Sequence, residues 1–419
     1  MVDAHRTFVI VGGGLAGAKA AETLRAEGFT GRVILIGDER DHPYERPPLS
    51  KGYLTGKEER DTVFVHETAW YAGADIELHL GQYVTSIDRA GRSVQLGDNT
   101  VVHYDKLLLA TGSEPRRLDI PGTGLVGVHH LRRLAHSDRL RHVLAALGRD
   151  NGHLVIAGGG WIGLEVAAAA RGYGAEVTIV QSSPTPLHHV IGPELGQIFT
   201  ELHSEHGVRF HFGARLTEIT GQDGLVLAAR TDDGEEHLCH DVLAAIGAAP
   251  RAALAEAAGL AMADRADGGG IAVDASLRTS DPHIFAAGDV AAVEHPLLGS
   301  RLRVEHWANA LNTGPAAARA MLGQEVVYDR VPYFFSDQYD LGLEYSGWAP
   351  PGSYDQVVIR GDAGKREFIA FWLKDRRVLA GMNVNVWDVT ETVQKLIRGG
   401  QRIDPDALGD PSVPLDTLA

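Results

Sequence analysis

Two glycine-rich stretches carry the residue types and spacing that bind the phosphates of a dinucleotide. In the first, Gly12, Gly14 and Gly17 follow the apolar run TFVIV and open a run of small residues. The first glycine permits a tight turn, the second lets backbone approach a pyrophosphate, and the third lets helix and strand pack closely. The helix N-terminus adds unpaired N–H groups and a positive dipole end. The pattern predicts a nucleotide site, with Asp38 accepting hydrogen bonds from a ribose and Glu39 as the alternative acceptor.

The second stretch repeats the pattern at Gly158, Gly160 and Gly163, but the acidic residue after the next apolar run is replaced by Gln181. A carboxylate there would favour NADH and repel the 2′-phosphate of NADPH, whereas NADPH sites usually add arginine. Gln181 is neutral, and the SSPTPLHHV that follows it contains no Arg or Lys. We expect NADH as the second nucleotide, with NADPH as the open alternative.

These turns have to be positioned by parallel strands joined by helices. TFVIV (7–11), a helix that ends near Gly28, and RVILIG (32–37) form one βαβ unit. Parallel strands joined in this way predict a doubly wound sheet. The same order begins again at HLVIAGGG (153–160) and continues in EVTIVQS (176–182). The chain therefore contains two copies of one nucleotide-binding plan.

The remaining segments complete both copies and add a further domain. LLLATG (107–112) and DVLAAIG (241–247) are predicted buried strands in equivalent places, and residues 74–104 alternate as in a β-meander. HIFAAGD (283–289) is a strand that returns the chain to the first copy, before a helix near 306–322. The fold class is α/β, with two Rossmann-like domains, one inserted in the other, and a C-terminal α+β domain.

The C-terminal domain is predicted from a change of pattern after about Glu325. FIAFWL (368–373) and VLAGMNV (378–384), separated by a charged turn, indicate a β-hairpin. DVTETVQKLIRGG (388–400) has helical spacing and glycines at its end.

Composition excludes several classes of function. A net charge of −16 argues against nucleic acid or an anionic membrane as partner. The single cysteine, Cys239, excludes a CxxC redox pair, and its position before an apolar run predicts a packed thiol. His188, His189 and His306 lack metal-ligand spacing, so no metal site is predicted. No run is long enough to span a membrane, and the N-terminal apolar run is too short for a signal peptide, so we expect a cytoplasmic protein.

Several longer motifs resemble one family along essentially the whole chain. They are VIVGGGLAG, RPPLSKGYL (46–54), LLLATGSEPR, GGGWIGLEVAAAA, TSDPHIFAAGD (279–289), VEHWANAL (304–311), FFSDQYDLGLEYSG (334–347) and LGDPSVPL (408–415). With these motifs, the sequence resembles the FAD-dependent ferredoxin reductases of oxygenase systems, the putidaredoxin reductase group, which share a fold with glutathione reductase and apoptosis-inducing factor.

The resemblance implies an enzyme that takes a hydride from NADH or NADPH on FAD and passes single electrons to a ferredoxin. The ferredoxin, an acidic iron–sulfur protein, would supply a haem or Rieske oxygenase. The implied domains are FAD-binding at 1–117 and 248–325, NAD(P)-binding at 118–247, and the C-terminal domain at 326–419. An NADH oxidase or quinone reductase, and an NADH-responsive flavoprotein similar to apoptosis-inducing factor, are the alternatives. The protein would be a monomer or a homodimer.

The resemblance also assigns catalytic roles. Lys51 would lie beside the flavin near N5, and Glu165 would reach toward the nicotinamide and pair with Lys51. Arg132 matches a flavin-contacting position. The aromatic residue of the family's WSDQY motif is Phe335 here, so an aromatic ring is kept at the flavin while any role specific to an indole is not.

Further roles concern binding of FAD. Ala16 and Asp38 would lie at the adenosine side and Val84 at the adenine end, while Asp289 would bind the ribitol hydroxyls and Trp307 would lie by the pyrimidine edge. The other positions that match cofactor-binding residues of the family are Gly12, Gly14, Leu15, Gly17, Glu39, Arg46, Ala110, Thr111, Gly112, Gly158, Gly160, Trp161, Ile162, Gly163, Gln181, Gly247, Gly288, Glu305, His306 and Phe335.

Simpler interpretations remain open for four of these residues. Asp289 after a strand could cap a helix, and Lys51 could be a solvated loop lysine. Glu165 could be an exposed residue in the first turn of a helix, where its charge suits the dipole. Trp307 could be core packing.

A basic rim for an acidic ferredoxin could be formed by one of two arginine groups, either Arg132, Arg133, Arg139 and Arg141, or Arg301 and Arg303.

Overall fold

Two units share the chain, and each is assembled from segments that are far apart in the sequence. The computed structural model describes residues 5–419, so part of the N-terminal stretch used to argue against a signal peptide lies outside the described residues. The first unit consists of the described residues up to Glu45, Arg60–Glu114 and Ala249–Pro332. The second unit consists of Arg46–Glu59, Pro115–Ala248 and Tyr333–Ala419.

The first unit is built on a parallel five-stranded sheet. Its inner strands are almost entirely apolar and buried, which is the pattern of a sheet covered on both faces. In spatial order they are Ile284–Ala286, Lys106–Leu109, Thr7–Val11, Arg32–Gly37 and Ile76–Leu80. The predicted βαβ unit and the predicted return strand after residue 283 are both confirmed.

Two small sheets complete the strands of the first unit. One is an antiparallel meander of Val84–Asp88, Ser93–Leu96 and Val101–His103. The other contains Ile271–Val273, Ala291–His295 and Ser300–Arg303. The prediction of a single meander over residues 74–104 is wrong at its start. Ile76–Leu80 pairs in parallel with Arg32–Gly37, because the short helix before it supplies the crossover.

Two helices of the first unit pack closely because their facing residues are small. Leu15–Ala26 contacts Trp307–Met321, and a Cβ on Gly314 would lie 2.3 Å from the carbonyl oxygen of Ala16. No residue larger than glycine fits at this crossing without moving backbone. The other helices of this unit are Thr68–Gly73 and Ala253–Ala257, with short 3-10 helices at Arg60–Val63, Arg265–Asp267 and Gly288–Val290.

The second unit repeats the parallel plan. Its sheet has the order Val208–Phe212, Glu176–Gln181, His153–Ala157, Asp241–Ala244 and Val128–His129, all parallel. The predicted second βαβ unit is therefore confirmed. An antiparallel sheet of Leu216–Gln222, Leu225–Thr231 and Glu236–Leu238 follows the first of these strands in the chain.

The C-terminal part of the second unit is an antiparallel five-stranded sheet. Its spatial order is Tyr333–Gln338, Leu341–Gly347, Arg377–Val384, Glu367–Lys374 and Gln356–Asp362. The predicted hairpin over 368–384 is confirmed. The predicted helix is confirmed as Thr390–Gly399, which ends at Gly400 in the left-handed conformation with φ 57°.

The remaining helices of the second unit are Leu134–Asp150, Trp161–Tyr173, His188–Glu205 and Pro405–Gly409, with 3-10 helices at Pro47–Ser50 and Leu415–Leu418. His188–Glu205 is kinked at Gly192, where φ is 84° and Pro193 follows. Short strands, Ser113–Pro115 and Ala248–Pro250, lie where the chain passes from one unit to the other. Across residues 5–419, no helix combines the length and the apolar character needed to cross a bilayer.

The helix Trp161–Tyr173 contains two glycines that test the close packing of the second unit. A Cβ on Gly163 would lie 2.2 Å from the carbonyl oxygen of Gly158, so Gly163→Ala forces backbone apart and should cost roughly 1–3 kcal/mol of stability. Gly172→Ala, in the same helix, meets nothing within 4 Å and should be neutral or stabilising by up to about 1 kcal/mol. Thermal unfolding midpoints measure both. Equal midpoints for the two variants would contradict the close approach.

Candidate functional site

The glycine turn of the first unit forms an open cradle at a helix N-terminus. Gly12 has φ 130°, and a Cβ there would lie 2.0 Å from the carbonyl oxygen of Ala110. A Cβ on Gly17 would lie 2.1 Å from the Gly12 oxygen. Gly14 begins the helix Leu15–Ala26 with no side-chain cap, and nothing lies within 4 Å of its Cβ position. The helix N-terminus thus has no side-chain cap and no side chain at Gly14 to block it, the arrangement that binds phosphate.

The second unit builds the same cradle from a different segment. Gly158 has φ 103°, and its Cβ position is 2.5 Å from the carbonyl oxygen of Ala245. Gly160 begins the helix Trp161–Tyr173 with no side-chain cap and has open space at its Cβ position. Each unit therefore presents a glycine turn and a helix N-terminus at the carboxyl edge of its parallel sheet. These residues fit a dinucleotide in each unit.

A cleft of the first unit joins the cradle to the predicted ribose-binding carboxylate. Gly12, Asp38, Val84 and Thr111 line it, all of them predicted cofactor residues. Asp38 Oδ2 lies 3.0 Å from the guanidinium of Arg251, which also lines the cleft and which the sequence analysis did not identify. No motif marks this arginine, since it reaches the cleft only through folding.

Glu39, the alternative to Asp38, has a different partner. Its carboxylate accepts a hydrogen bond from the hydroxyl of Tyr44 at 2.6 Å. Of the two acidic residues, Asp38 is the one whose side chain lines the cleft.

Gln181 holds the second glycine turn directly. Its side-chain oxygen accepts a hydrogen bond from the backbone N–H of Gly159 at 2.8 Å. The neutral amide stands where a carboxylate would bind the ribose, and it brings no negative charge that would repel a 2′-phosphate.

A buried ion pair lies in the second unit where the sequence analysis predicted one. Lys51 Nζ is 2.8 Å from Glu165 Oε1, and the exposed fractions of the two side chains are 14% and 5%. Ser336 donates a hydrogen bond to the same oxygen at 2.7 Å, and Ser50 donates to Oε2. A buried carboxylate is stable only when paired and hydrogen-bonded, and these three donors meet that need.

The short 3-10 helix Pro47–Ser50 delivers two of these donors. Prolines at its first two positions preset φ, and the chain then turns so that Ser50 and Lys51 both reach Glu165. Glu165 itself lies in the second turn of Trp161–Tyr173 and is buried, so the interpretation as an exposed first-turn residue is wrong. Lys51 is not a solvated loop lysine either.

Hydrogen bonds continue from Ser336 into the core. Gln338 donates to the Ser336 hydroxyl at 3.1 Å, and the side-chain oxygen of Gln338 lies 2.9 Å from His203 Nε2. Tyr339 has its hydroxyl 3.3 Å from His203 Nδ1. Burial lowers the pKa of His203 to about 4, so the imidazole is neutral near pH 7, and its Nε2–H donates to Gln338. We call the connected residues the Glu165 network: Ser50, Lys51, Glu165, Ser336, Gln338 and His203.

Phe335 lies beside the ion pair. Its ring centroid is 5.3 Å from Lys51 Nζ, close enough for a cation–π interaction. Burial raises the pKa of the neighbouring Asp337, while Lys51 opposes that rise. The aromatic ring at this position therefore contacts the Lys51 ammonium.

Asp289 lies at a buried turn of the first unit. Its carboxylate is 8% exposed and accepts a hydrogen bond from Ser113 at 2.7 Å. It begins no long helix, since Gly288–Val290 is a single 3-10 turn followed by a strand. Simple helix capping does not explain an aspartate here.

Three further residues that were predicted to bind cofactor lie after Asp289 in the chain. Trp307 begins the helix Trp307–Met321, and its indole N–H donates to Glu45 at 3.2 Å. His306 precedes that helix, and burial lowers its pKa to about 4. Glu305 accepts from Arg303 at 2.6 Å.

The other predicted residues divide between the two units. In the second unit, the Arg46 guanidinium donates to the backbone oxygen of Arg132, Trp161 packs on aromatic rings, and Ile162 is exposed. The first unit contains Gly12, Gly14, Leu15, Ala16, Gly17, Asp38, Glu39, Val84, Ala110, Thr111, Gly112, Gly288, Asp289, Glu305, His306 and Trp307. The second unit contains Arg46, Lys51, Arg132, Gly158, Gly160, Trp161, Ile162, Gly163, Glu165, Gln181, Gly247 and Phe335.

The cysteine takes no part in these arrangements. Cys239 is 5% exposed, and burial raises the pKa of its thiol to about 12. The prediction of a packed thiol is confirmed, and no sulfur nucleophile is available for redox chemistry.

Comparison with known proteins agrees with this arrangement. Residues 6–314 match the family model described as pyridine nucleotide-disulphide oxidoreductase, and residues 333–419 match the reductase C-terminal model. The chain is 38% identical to a probable ferredoxin reductase CtmF of Castellaniella defragrans, with 100% of both chains covered. It is 39% identical to the ferredoxin–NAD(+) reductase component of an anthranilate 1,2-dioxygenase system of Burkholderia cepacia, with 98% of each covered.

A solved structure shows the same fold along the whole chain. The covalent complex of putidaredoxin reductase with putidaredoxin superposes with a TM-score of 0.93 at 35% identity, covering 99% of this chain and 98% of that one.

The Lys51–Glu165 pair leads to a prediction about stability that can be tested on protein without cofactor. Lys51→Met leaves a buried carboxylate without its cation and should cost about 3–5 kcal/mol. Adding Glu165→Gln removes the stranded charge and should restore part of the loss. Urea unfolding of apoprotein gives the three free energies. If Lys51→Met is no less stable than the double variant, the carboxylate does not depend on the lysine.

His203 makes a prediction about acid stability. Its pKa rises from about 4 in the folded chain to its ordinary value of 6.5 on unfolding, so the unfolded chain binds more protons between these values. The free energy of unfolding should therefore fall as pH drops through this window, by at most roughly 3 kcal/mol. His203→Gln should flatten the profile, whereas His142→Gln, at an exposed position, should keep it. Chemical unfolding at several pH values measures this, and parallel profiles for wild type and His203→Gln would contradict it.

Proposed function

Because the chain belongs to the pyridine nucleotide-disulphide oxidoreductase family and carries the reductase C-terminal domain, we propose that it is the ferredoxin–NAD(P)+ reductase of an oxygenase system. It is an FAD-dependent NAD(P)H oxidoreductase, as are its ferredoxin reductase relatives. The observation that carries the proposal is the pair of glycine turns that open a helix after a parallel strand, one at Gly12–Gly17 and one at Gly158–Gly163, in a chain without a reactive sulfur.

The first unit is the proposed FAD-binding part. Asp38, Val84 and Thr111 line the cleft beside the first cradle, which suits the adenosine end. Asp289 is assigned to the ribitol hydroxyls, because it is a buried carboxylate and a carboxylate can accept several hydrogen bonds. The proposed domains are FAD-binding at 1–117 and 248–325, NAD(P)-binding at 118–247, and C-terminal at 326–419.

Bound FAD would supply the chemistry of accepting a hydride and releasing electrons one at a time. The chain supplies the charge and its position. Lys51 is the proposed catalytic residue, since its ammonium stabilises negative charge on an electron-rich ring. Glu165 fixes that ammonium, and Ser50 and Ser336 fix the carboxylate. This chain of contacts holds the lysine in one place, which favours repeated transfer in a constant geometry.

NADH is the proposed electron donor. Gln181 is occupied as an acceptor for the glycine turn and offers no cation to a 2′-phosphate. An arginine near this position would favour NADPH, and the SSPTPLHHV that follows contains none.

The proposed acceptor is an acidic ferredoxin that docks through local positive charge. Arg139 is exposed and Arg141 partly exposed on the helix Leu134–Asp150, and Arg132 and Arg133 precede that helix. The alternative arginine group, Arg301 and Arg303, is not exposed enough to form this surface. Arg303 is only 8% exposed, and its guanidinium is bound to Glu305 and to backbone oxygens.

Arg301 is likewise directed inward. It donates to the backbone oxygens of Val273 and Ala292.

We also propose a cytoplasmic location and a monomeric or homodimeric state.

The decisive experiment follows the flavin absorbance of the purified, FAD-loaded protein after anaerobic mixing with NADH or NADPH. NADH should reduce the flavin at least about tenfold faster, as expected for a site that lacks a 2′-phosphate partner. Reoxidation should be slow in air and fast when an acidic ferredoxin with cytochrome c is added. Rapid reoxidation by oxygen alone would instead make the protein an oxidase.

The docking surface has its own readout in the same assay. Salt should weaken ferredoxin-dependent turnover but leave ferricyanide reduction unchanged, because exposed charges are screened. Arg139→Glu should lower ferredoxin turnover several-fold, whereas Arg215→Glu, exposed elsewhere in the same unit, should not. Equal salt sensitivity for both acceptors would contradict a basic docking surface.

A further inference from the structure

Two histidines of the second unit face each other away from both glycine turns. His211 lies on the strand Val208–Phe212 and His237 on Glu236–Leu238, and their Nδ1 and Nε2 atoms are 2.9 Å apart. The two side chains are 14% and 10% exposed. Glu235 completes the group, with its Oε2 3.5 Å from His211 Nδ1.

An acidic residue orients the first imidazole. Asp233 Oδ2 lies 2.7 Å from His211 Nε2, and Thr231 donates to the other oxygen of this carboxylate at 2.6 Å. Asp233 thus accepts hydrogen bonds from both neighbours through its two carboxylate oxygens. The His211 proton is therefore on Nε2, and the lone pair of Nδ1 points toward His237. A carboxylate behind a histidine in this way is the usual support of a metal ligand.

The second imidazole can supply its facing nitrogen as well. Without an ion, His237 Nε2–H donates to His211 Nδ1. Moving that proton to Nδ1 of the same ring, where Glu235 Oε1 lies 3.9 Å away, frees the Nε2 lone pair without any net loss of a proton. That lone pair is then available to a metal ion, which binds the neutral imidazole.

We propose that His211 Nδ1, His237 Nε2 and Glu235 Oε2 bind a divalent transition-metal ion, Zn²⁺, with Asp233 as the orienting residue. Two nitrogens that bind one tetrahedral ion at about 2.0–2.1 Å lie roughly 3.4 Å apart. The observed distances of 2.9 and 3.5 Å bracket that value, so the ligands need shift by only a few tenths of an ångström. Glu235 is 59% exposed, which leaves a fourth position for water.

The donor set decides the kind of ion. Two imidazoles and a carboxylate suit Zn²⁺ and neighbouring transition metals, whereas Mg²⁺ and Ca²⁺ prefer oxygen ligands. Arg209 is the nearby cation that opposes binding, and its guanidinium is paired with Glu176 at 2.7 Å. The two acidic residues of the group, Asp233 and Glu235, supply the compensating charge.

The ion would have a structural role. His211 belongs to the edge strand of the parallel sheet, and His237 to the edge strand of the three-stranded sheet that follows it. One ion bound by both would join these sheets within the second unit. This inference does not depend on the proposed redox function, because none of its residues belongs to the cradles or to the Glu165 network.

The test is calorimetric titration of the metal-stripped, FAD-loaded full chain with Zn²⁺ alone. Wild type should bind one ion per chain at this site, and His211→Gln and His237→Gln should each weaken that binding at least tenfold. Asp233→Asn should weaken it about 10–100-fold, as expected for an orienting residue. His142→Gln, on an exposed helix face, and Glu218→Gln, on the same three-stranded sheet, are the matched controls and should bind as wild type does.

A second readout separates binding from folding. Zn²⁺ should raise the thermal unfolding midpoint of wild type and both controls but not of His237→Gln, because an ion that binds only folded protein stabilises it by mass action. Midpoints measured without metal establish that each variant is folded. The proposal is overturned if wild type binds no ion at micromolar Zn²⁺, or if binding is unchanged in both histidine variants.

Discussion

The carboxylate of Glu165 is the constraint on which the second unit depends. Placing an ionised group at 5% exposure carries a desolvation cost of several kcal/mol, which only close donors can offset. Two of those donors, Ser50 and Lys51, come from a segment earlier in the sequence than Glu165. The third, Ser336, comes from a strand much later in the sequence. Satisfying one charge therefore fixes the relative positions of three segments. The lysine gains a defined position in the process, which is what a residue that stabilises charge on a cofactor requires.

The two glycine cradles have the same backbone geometry, although they lie in different units. Gly12 and Gly158 both have φ beyond 100°, and in both turns the third glycine faces the carbonyl oxygen of the first. The difference lies in the residue after the second strand. In the first unit, Asp38 lies against the Arg251 guanidinium, and in the second, Gln181 accepts from the turn itself. The two glycine turns therefore differ in the polar side chain that follows the second strand of each unit.

The sequence predicts these cradles because covalent geometry limits the choice of residue where φ is positive and backbone is in contact. It also predicts most strands, because both faces of a parallel sheet are apolar. It misassigns Ile76–Leu80, since an alternating strand of four to six residues looks alike in a meander and at the edge of a parallel sheet. Arg251, Gln338 and His203 were not predicted as site residues, because their partners are 213 and 135 residues away in sequence. The facing pair of His211 and His237 is invisible for the same reason, as a turn and two strands bring them together.

The discontinuous construction of both units has a consequence for biosynthesis. The first unit ends at Pro332, and the last segment of the second begins at Tyr333. Glu165 leaves the ribosome 171 residues before Ser336, an interval of roughly 9 to 34 seconds at about 5–20 residues per second. Throughout that interval the nascent helix around Glu165 carries a carboxylate that lacks one of its final donors. Completion of the second unit is therefore held back until the C-terminal sheet is being made.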